Sequence, residues 1–240
     1  MLNALFTGYI IAILSSWLKS SFDNYELKNR SLLARSKCDH CGKKLKWFNL
    51  FPILSYLFQR GTSTCCRKKI SQNYLYIESS TFLIGCLFVF FEFSPSSILL
   101  LPFLVILVFL DEKYQEIPIW LNALILLIVL VSKENLDPTM LLNAGMIFLG
   151  LITIYWLYKV LRKREGLGLG DIILIFSLSL YLEIPTIFLL VSMSAALLIV
   201  KIIFSKDYYK PHAFGSWLSG CLIGFILFQE FYEFANSVPN

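Results

Sequence analysis

An all-α fold that crosses a membrane several times is what this 240-residue chain predicts, and three observations carry the prediction. Apolar residues make up 57% of the chain and charged residues 15%, with a mean hydropathy of +0.69, a composition that belongs to membrane-embedded proteins. Strongly apolar runs recur from one end to the other, each closed by a short polar or proline-containing break. The basic residues fall almost wholly into alternate breaks, which is the charge bias of membrane loops.

Taken in order, the runs predict about eight transmembrane helices at roughly 3–18, 74–93, 97–110, 117–132, 139–158, 171–182, 184–204 and 214–231. Residues 1–18 make the first helix, 19–73 a basic, cysteine-containing loop and 74–240 the membrane core. No Lys or Arg precedes the first run and no small-residue cleavage site follows it, so it reads as a retained helix and not as a signal peptide. The loop after it is densely basic, from Lys19, Lys28 and Arg30 through Arg67, Lys68 and Lys69. Lys113, then Lys159, Arg162, Lys163 and Arg164, then Lys201, Lys206 and Lys210 occupy the alternate breaks on the same side. Of the 21 basic residues only Lys133 falls on the other side. The expected orientation therefore has the basic loops cytoplasmic and both termini outside, in the cytoplasmic (inner) membrane. Basic loops facing anionic lipid headgroups account for the net charge of +5, so no nucleic-acid partner is needed to explain it.

Carboxylates at membrane depth are expensive and mark function, which singles out two acids. Asp111 closes the run LLLPFLVILVFLD, and Asp171 opens DIILIFSLSLYL after REGLGLG. At about 1.5 Å per residue the apolar parts of these two helices span only about 18–20 Å, short of a hydrocarbon core of roughly 30 Å. Both carboxyls are therefore expected within or just under the inner headgroup layer. Gly166, Gly168 and Gly170 strip side chains from the start of the second of these helices, where another helix or a peptide backbone can then approach closely. The bland reading makes Asp171 an N-terminal helix residue favoured by the macrodipole and Asp111 a loop-boundary residue. The functional reading is peptide hydrolysis: of two carboxyls at hydrogen-bonding distance one keeps a proton and polarises the scissile carbonyl, while the charged one activates water.

At these residues the chain resembles the type IV prepilin leader peptidases, whose motif is an Asp followed by Ile-Pro and later by Gly-x-Gly-Asp. Here these are Asp111, Ile117 and Pro118, and Gly168-Leu169-Gly170-Asp171. The stretch RSKCDHCGKKLKWFNLFPILSYLFQRG at 35–61 is similar to the large cytoplasmic loop of that family, Glu78 to a Glu at the start of its second helix, and Ala213 to Leu218 to the start of its last helix. The resemblance implies a GxGD-type aspartyl protease with Asp111 and Asp171 as the catalytic pair. It implies prepilin or pseudopilin substrates, cut after a short basic leader on the cytoplasmic side, and the small size suits the competence-pseudopilin type. Many members of the family also methylate the new N-terminus with S-adenosylmethionine; no independent cofactor motif is visible here. The chain departs from the family at Ile173, where a Lys is usual, and at Ser15-Ser16-Trp17-Leu18-Lys19, which replaces a Gly-Ser-Phe-Leu-Asn type run. The competing class is a transporter or non-enzymatic scaffold using intramembrane acids, which would show repeated halves and midplane acids. Neither is visible.

Four of the six cysteines lie in the basic loop, as Cys38-x-x-Cys41 and Cys65-Cys66. In a reducing compartment they read first as a structural zinc site. Registering the family pattern puts Cys66 in the second ligand place of the second half and Ser63 in the first. Cys65 is the candidate replacement and His40 a weaker one; a three-thiolate or metal-free loop is the alternative. Cys86 and Cys221 lie in apolar runs and read as packing residues, and His212 as an interfacial polar residue.

Overall fold

Eight long apolar runs leave the backbone one way to satisfy its polar groups in lipid, by closing them into helices. A computed structural model of the chain describes residues 2–23, 35–38, 40–91, 94–133, 137–163, 166–206 and 212–237. Lys28, Arg30, Arg164, Glu165 and Lys210 lie outside the described residues. The helices are α1 (Leu2–Phe22), α2 (Leu54–Phe58), α3 (Gln72–Phe90), α4 (Pro95–Tyr114), α5 (Ile119–Ser132), α6 (Pro138–Arg162), α7 (Leu169–Ser179), α8 (Ile184–Ser205) and α9 (Phe214–Ser237), with a 3-10 turn at Trp47–Leu50. The protein is thus all-α and multi-pass. Among the described residues five helices, α1, α3, α4, α6 and α8, are long and apolar enough to cross a membrane, and α5, α7 and Phe214–Gln229 are shorter apolar helices.

Several helix limits differ from the expected ones by a few residues, and two of these bear on charged side chains. Helix α1 continues past residue 18 to Phe22, and buried Lys19 in its last turn pairs with Asp23, the residue just beyond the helix, at 2.5 Å. Helix α4 continues past residue 110 to Tyr114. Its 20 residues span about 30 Å, longer than the apolar run suggested. Asp111 therefore sits in the last turn of a helix and not at a loop boundary. Gln115, with φ 57°, ends that helix.

The chain forms two units, Met1–Ile106 with Glu233–Asn240, and Leu107–Tyr232. In the first, α1 packs on α3 through two glycines. A Cβ at Gly8 would lie 2.8 Å from the Phe82 carbonyl oxygen, and one at Gly85 would lie 3.1 Å from the Gly8 Cα. Small residues at a crossing let membrane helices close on one another's backbone. In the second unit α7 is the central element, flanked by α5, α6 and α8. Its Ile172, Leu174, Ile175 and Leu178 are buried, whereas α6 and α8 turn rows of Leu, Ile and Phe outward, as lipid-facing helices do.

Candidate active site and metal centre

The second unit brings Asp111 and Asp171 together at the start of α9. Asp111 is buried, and its Oδ2 accepts the Ser216 backbone N–H at 2.6 Å. Ser216 lies in the first turn of α9, where amide hydrogens have no helical partner and the helix dipole favours an anion. Asp171 lies in the first turn of its own helix, α7. The backbone amides of Gly168 and Gly215 lie toward its carboxylate. Its Oδ1 is closed off from solvent and accepts no hydrogen bond of good geometry among the described residues.

Gly215 is what the two carboxylates share. A Cβ there would lie 2.9 Å from Asp171 Oδ1 and 3.2 Å from Asp111 Oδ2, so the two oxygens are separated by no more than the sum of those distances. That Cβ would also meet Ile117 Cδ1 at 2.5 Å, and a Cβ at Gly170 would meet Ile117 Cβ at 2.9 Å. Ile117 is thus wedged against both glycines. Pro118 caps α5 and receives the Leu121 and Asn122 amides on its carbonyl. Asn122, fully buried, donates from Nδ2 to the Gly170 carbonyl at 3.0 Å and so ties α5 to the turn before Asp171. Gly168 caps α7, and a Cβ on it would press to 3.1 Å from Asp171 Oδ2. Beside the pair, half-exposed Lys201 bonds Glu112 at 2.8 Å. An ion pair so exposed contributes little to stability.

Sequence reasoning named Asp111, Asp171, Gly168, Gly170 and Pro118. It quoted Gly215 and Ser216 only as part of a resemblance and passed over Asn122. An Asn within an otherwise apolar helix run was the available signal, because a buried amide requires a partner.

The first unit holds the cysteines. Cys38, Cys41, Cys65 and Cys66 gather with their sulfurs all within 4.8 Å of one another. Two turns of the same build carry them. The Cys38 amide bonds the Lys43 carbonyl and the Gly42 amide the Cys38 carbonyl; likewise the Ser63 amide bonds the Lys68 carbonyl and the Arg67 amide the Ser63 carbonyl. An antiparallel bridge closes each turn, Lys37 to Lys44 and Thr62 to Lys69. Ser63 therefore stands where Cys38 stands in the first turn, as the registration expected, and Cys66 where Cys41 stands. Cys65 nonetheless reaches the cluster, 3.1 Å from Cys41, so its adjacency to Cys66 does not keep the two sulfurs apart. Ser63 Oγ lies 3.0 Å from the Cys65 sulfur and 3.5 Å from that of Cys38. His40 is turned to the Lys69 carbonyl and joins no ligand set among the described residues. Burial of Cys38 works against its ionisation, but hydrogen bonds from Ser63, from the Cys41 and His40 amides and from Cys65 outweigh it and bring the thiol down to about 6. A tetrahedral zinc with Zn–S bonds of about 2.3 Å spaces its sulfurs roughly 3.8 Å apart. The four thiols can hold a metal ion with small adjustments.

Glu78 lies six residues into α3 and not at its start. It is buried and accepts the Ser16 hydroxyl at 2.6 Å and the Ile53 amide at 2.7 Å. Ile53 has φ 61° and ψ −55°, and the Leu54 amide reaches back to the Pro52 carbonyl. This is a γ-turn of the rare, strained hand, with a β-branched residue at its centre. The Glu78 carboxylate helps to hold it.

Two family models match the chain: the Bacterial Peptidase A24 N-terminal domain over residues 8–93, and the Type IV leader peptidase family over residues 98–204. Among curated proteins it is similar to a prepilin leader peptidase/N-methyltransferase of Pectobacterium carotovorum subsp. carotovorum, 31% identical over 80% of this chain and 74% of that one. The protein of that name from Klebsiella pneumoniae is 31% identical over 67% of this chain and 75% of its own. The one from Dichelobacter nodosus is 32% identical over 58% of this chain, a match that spans 52% of the relative's length. No solved structure matches.

Proposed function

Because the chain belongs to the type IV prepilin leader peptidase family, we propose that it is an aspartic endopeptidase that removes the leader from prepilin-like proteins, with Asp111 and Asp171 as its catalytic pair. The observation that carries this reading is the convergence of two carboxylates on Gly215, one bonded to an α9 amide and the other with an oxygen left without a donor. One carboxyl of the pair holds a proton and directs it to the scissile carbonyl oxygen. The other takes a proton from water as the water attacks the carbonyl carbon, and the titration belongs to the pair.

The enzyme sits in the cytoplasmic membrane with its basic loops and the aspartate pair toward the cytoplasm and both termini outside. It acts on prepilin-like substrates of the competence pseudopilin type and methylates the new N-terminus. The supports are the alternate placement of basic residues and the double name of the relatives. Cys38, Cys41, Cys65 and Cys66 hold a structural zinc that organises the loop and takes no part in cleavage.

Co-expression of a prepilin-like substrate with the wild type, Asp111→Asn or Asp171→Asn, scored by leader loss on a gel, tests the pair. The wild type removes the leader, and neither variant does so while accumulating normally in the membrane. A variant that cleaves near the wild-type rate would show its aspartate to be structural and the mechanism wrong.

A further inference from the structure

The Trp47–Leu50 turn and α2 bury none of their residues, and large apolar side chains on both are turned outward. In α2 the exposed ones are Leu54, Leu57 and Phe58, spaced i, i+3 and i+4, which is one face of a helix. Ser55, Tyr56 and, just past the helix end, Gln59 face the other way, into a cavity of about 500 Å³. The order is the reverse of that of a helix lying on a protein in water, with the polar face inside and the apolar face outside. Trp47, Phe48 and Phe51 extend the outer face, the Trp47 ring standing edge-on to the other two at 5.9 and 5.8 Å. Trp47 is 70% exposed and Phe58 85%. Lys43, Lys44, Lys46 and Arg60, all exposed, flank this surface, and the Lys46 ammonium lies 5.7 Å from the centre of the Phe48 ring.

Glu78 fixes how deep this segment lies. Its oxygens hold the Ser16 hydroxyl and the Ile53 amide, so these two groups are level with each other. Ser16 is six residues before the end of α1 and Glu78 six residues after the start of α3, which places Ile53 about 9 Å inside the ends of both helices. Helices α1 and α3 are each about 30 Å long, the thickness of a hydrocarbon core. A point so far inside their ends lies below the headgroups. Non-helical backbone is stable at that depth only where protein supplies its partners, and Glu78 supplies one to the Ile53 amide. We propose that residues 47–58 form a re-entrant membrane anchor, whose outer face lies among the acyl chains of the leaflet on that side while Lys43, Lys44, Lys46 and Arg60 bind its anionic headgroups. An apolar face with Trp and Phe and a basic rim is the composition of an interfacial element. The basic loop thus does not stand clear of the membrane, and the anchor holds the Ser55 and Tyr56 wall of the cavity in place. It stands or falls independently of the aspartate pair and of the thiol cluster.

The test is tryptophan fluorescence quenching of the full-length protein in nanodiscs loaded with one copy each, the Trp47 signal being the difference between wild type and Trp47→Phe. In discs of phosphatidylcholine brominated on the upper acyl carbons this signal falls by about half or more, whereas aqueous iodide quenches it little. Hydrogen exchange of the α2 amides, read by mass spectrometry in the same discs, measures the anchoring. Phe58→Glu raises it by about tenfold or more and Phe58→Leu by less than about threefold. Replacing about a third of the lipid by phosphatidylglycerol slows the exchange of the wild type by about threefold or more, and leaves that of the triple variant Lys43→Gln, Lys44→Gln, Lys46→Gln nearly unchanged.

Quenching by iodide and not by bromolipid would place Trp47 in water and overturn the proposal. If that iodide quenching disappears in discs loaded with two copies, the face belongs to a second copy of the chain instead. Quenching by neither agent would mean that protein covers the face, and the anchor fails then as well. Equal exchange in Phe58→Glu and Phe58→Leu would overturn anchoring through α2, and wild-type exchange indifferent to phosphatidylglycerol would overturn the headgroup contacts.

Discussion

The aspartate pair of the second unit and the thiol cluster of the first both gather side chains that are far apart in the chain, yet they are held in different ways. The carboxylates sit on helices that meet through missing side chains: Gly170 and Gly215 leave room for Ile117, and Gly215 leaves room for the carboxylates themselves. The thiols sit on two copies of one short turn, closed by backbone hydrogen bonds that most residues can make. Among the departures of the second turn from the first, Cys65 stands in the place of His40. Ser63 stands in the place of Cys38, and Arg67, at φ 57°, in the place of Gly42, at φ 70°. Helix contacts packed to the backbone have no slack, whereas a turn open to solvent absorbs substitution at small expense. Changes in the first region should therefore act as all-or-none effects on cleavage, and changes in the second as graded effects on metal and stability.

The largest effect separates the acids from everything around them. Either Asp→Asn substitution should lower leader cleavage by about a thousandfold or more, the scale expected when a group acting in the transition state is removed. A gel assay with membrane-protein levels held equal checks this. Next, Gly215→Ala puts a carbon 2.5 Å from Ile117 Cδ1 and between the carboxylates. It should reduce cleavage about a hundredfold, as a displacement of about 1 Å at a reacting centre does. Gly220→Ala and Gly224→Ala, whose added carbons meet nothing within 4 Å, are the matched controls and should cleave like the wild type. If Gly215→Ala also cleaves like the wild type, the carboxylate pair does not depend on the space that Gly215 leaves.

On the cysteine side, Cys65→Ser should weaken zinc binding of the purified protein by about tenfold or more, and Ser63→Cys in that background should restore much of it, because a thiolate is a far better zinc ligand than a hydroxyl. Zinc content after dialysis against a graded chelator reads both. Failure of Ser63→Cys to restore zinc would mean that the two turns are not equivalent. Asn122→Ala removes the side-chain donor by which α5 holds the Gly170 carbonyl. It should destabilise the protein by about 1–3 kcal/mol, read as a lower midpoint in thermal unfolding in detergent. The smallest effect is Arg67→Gly, which relieves a left-handed backbone held by a residue with a Cβ. It should stabilise the loop by about 1 kcal/mol, read as slower proteolysis within 60–70.

The helical, multi-pass architecture was legible in the sequence because lipid solvation is a one-dimensional rule. Apolar length decides whether a helix can span, and alternation of Lys and Arg orders the loops. Asp111 and Asp171 were legible for the same reason, since a carboxylate bordering an apolar run stands out wherever it falls. The thiols stood out by type and spacing. Only the tertiary structure decided how these groups meet. Nothing in the spacing of Asp111, Asp171 and Gly215 says that three helix ends converge on one glycine. That outcome depends on which helices pack, and their outward faces are alike in composition. The rescue of the cluster by Cys65, the tie from Asn122 to Gly170 and the clamp of Glu78 on the Ile53 turn depend on side-chain directions set by partners up to tens of residues away. Hydropathy and charge bias are summed along the chain and survive without a structure. Hydrogen bonds and steric gaps are fixed within tenths of an ångström and exist only once the helices have packed.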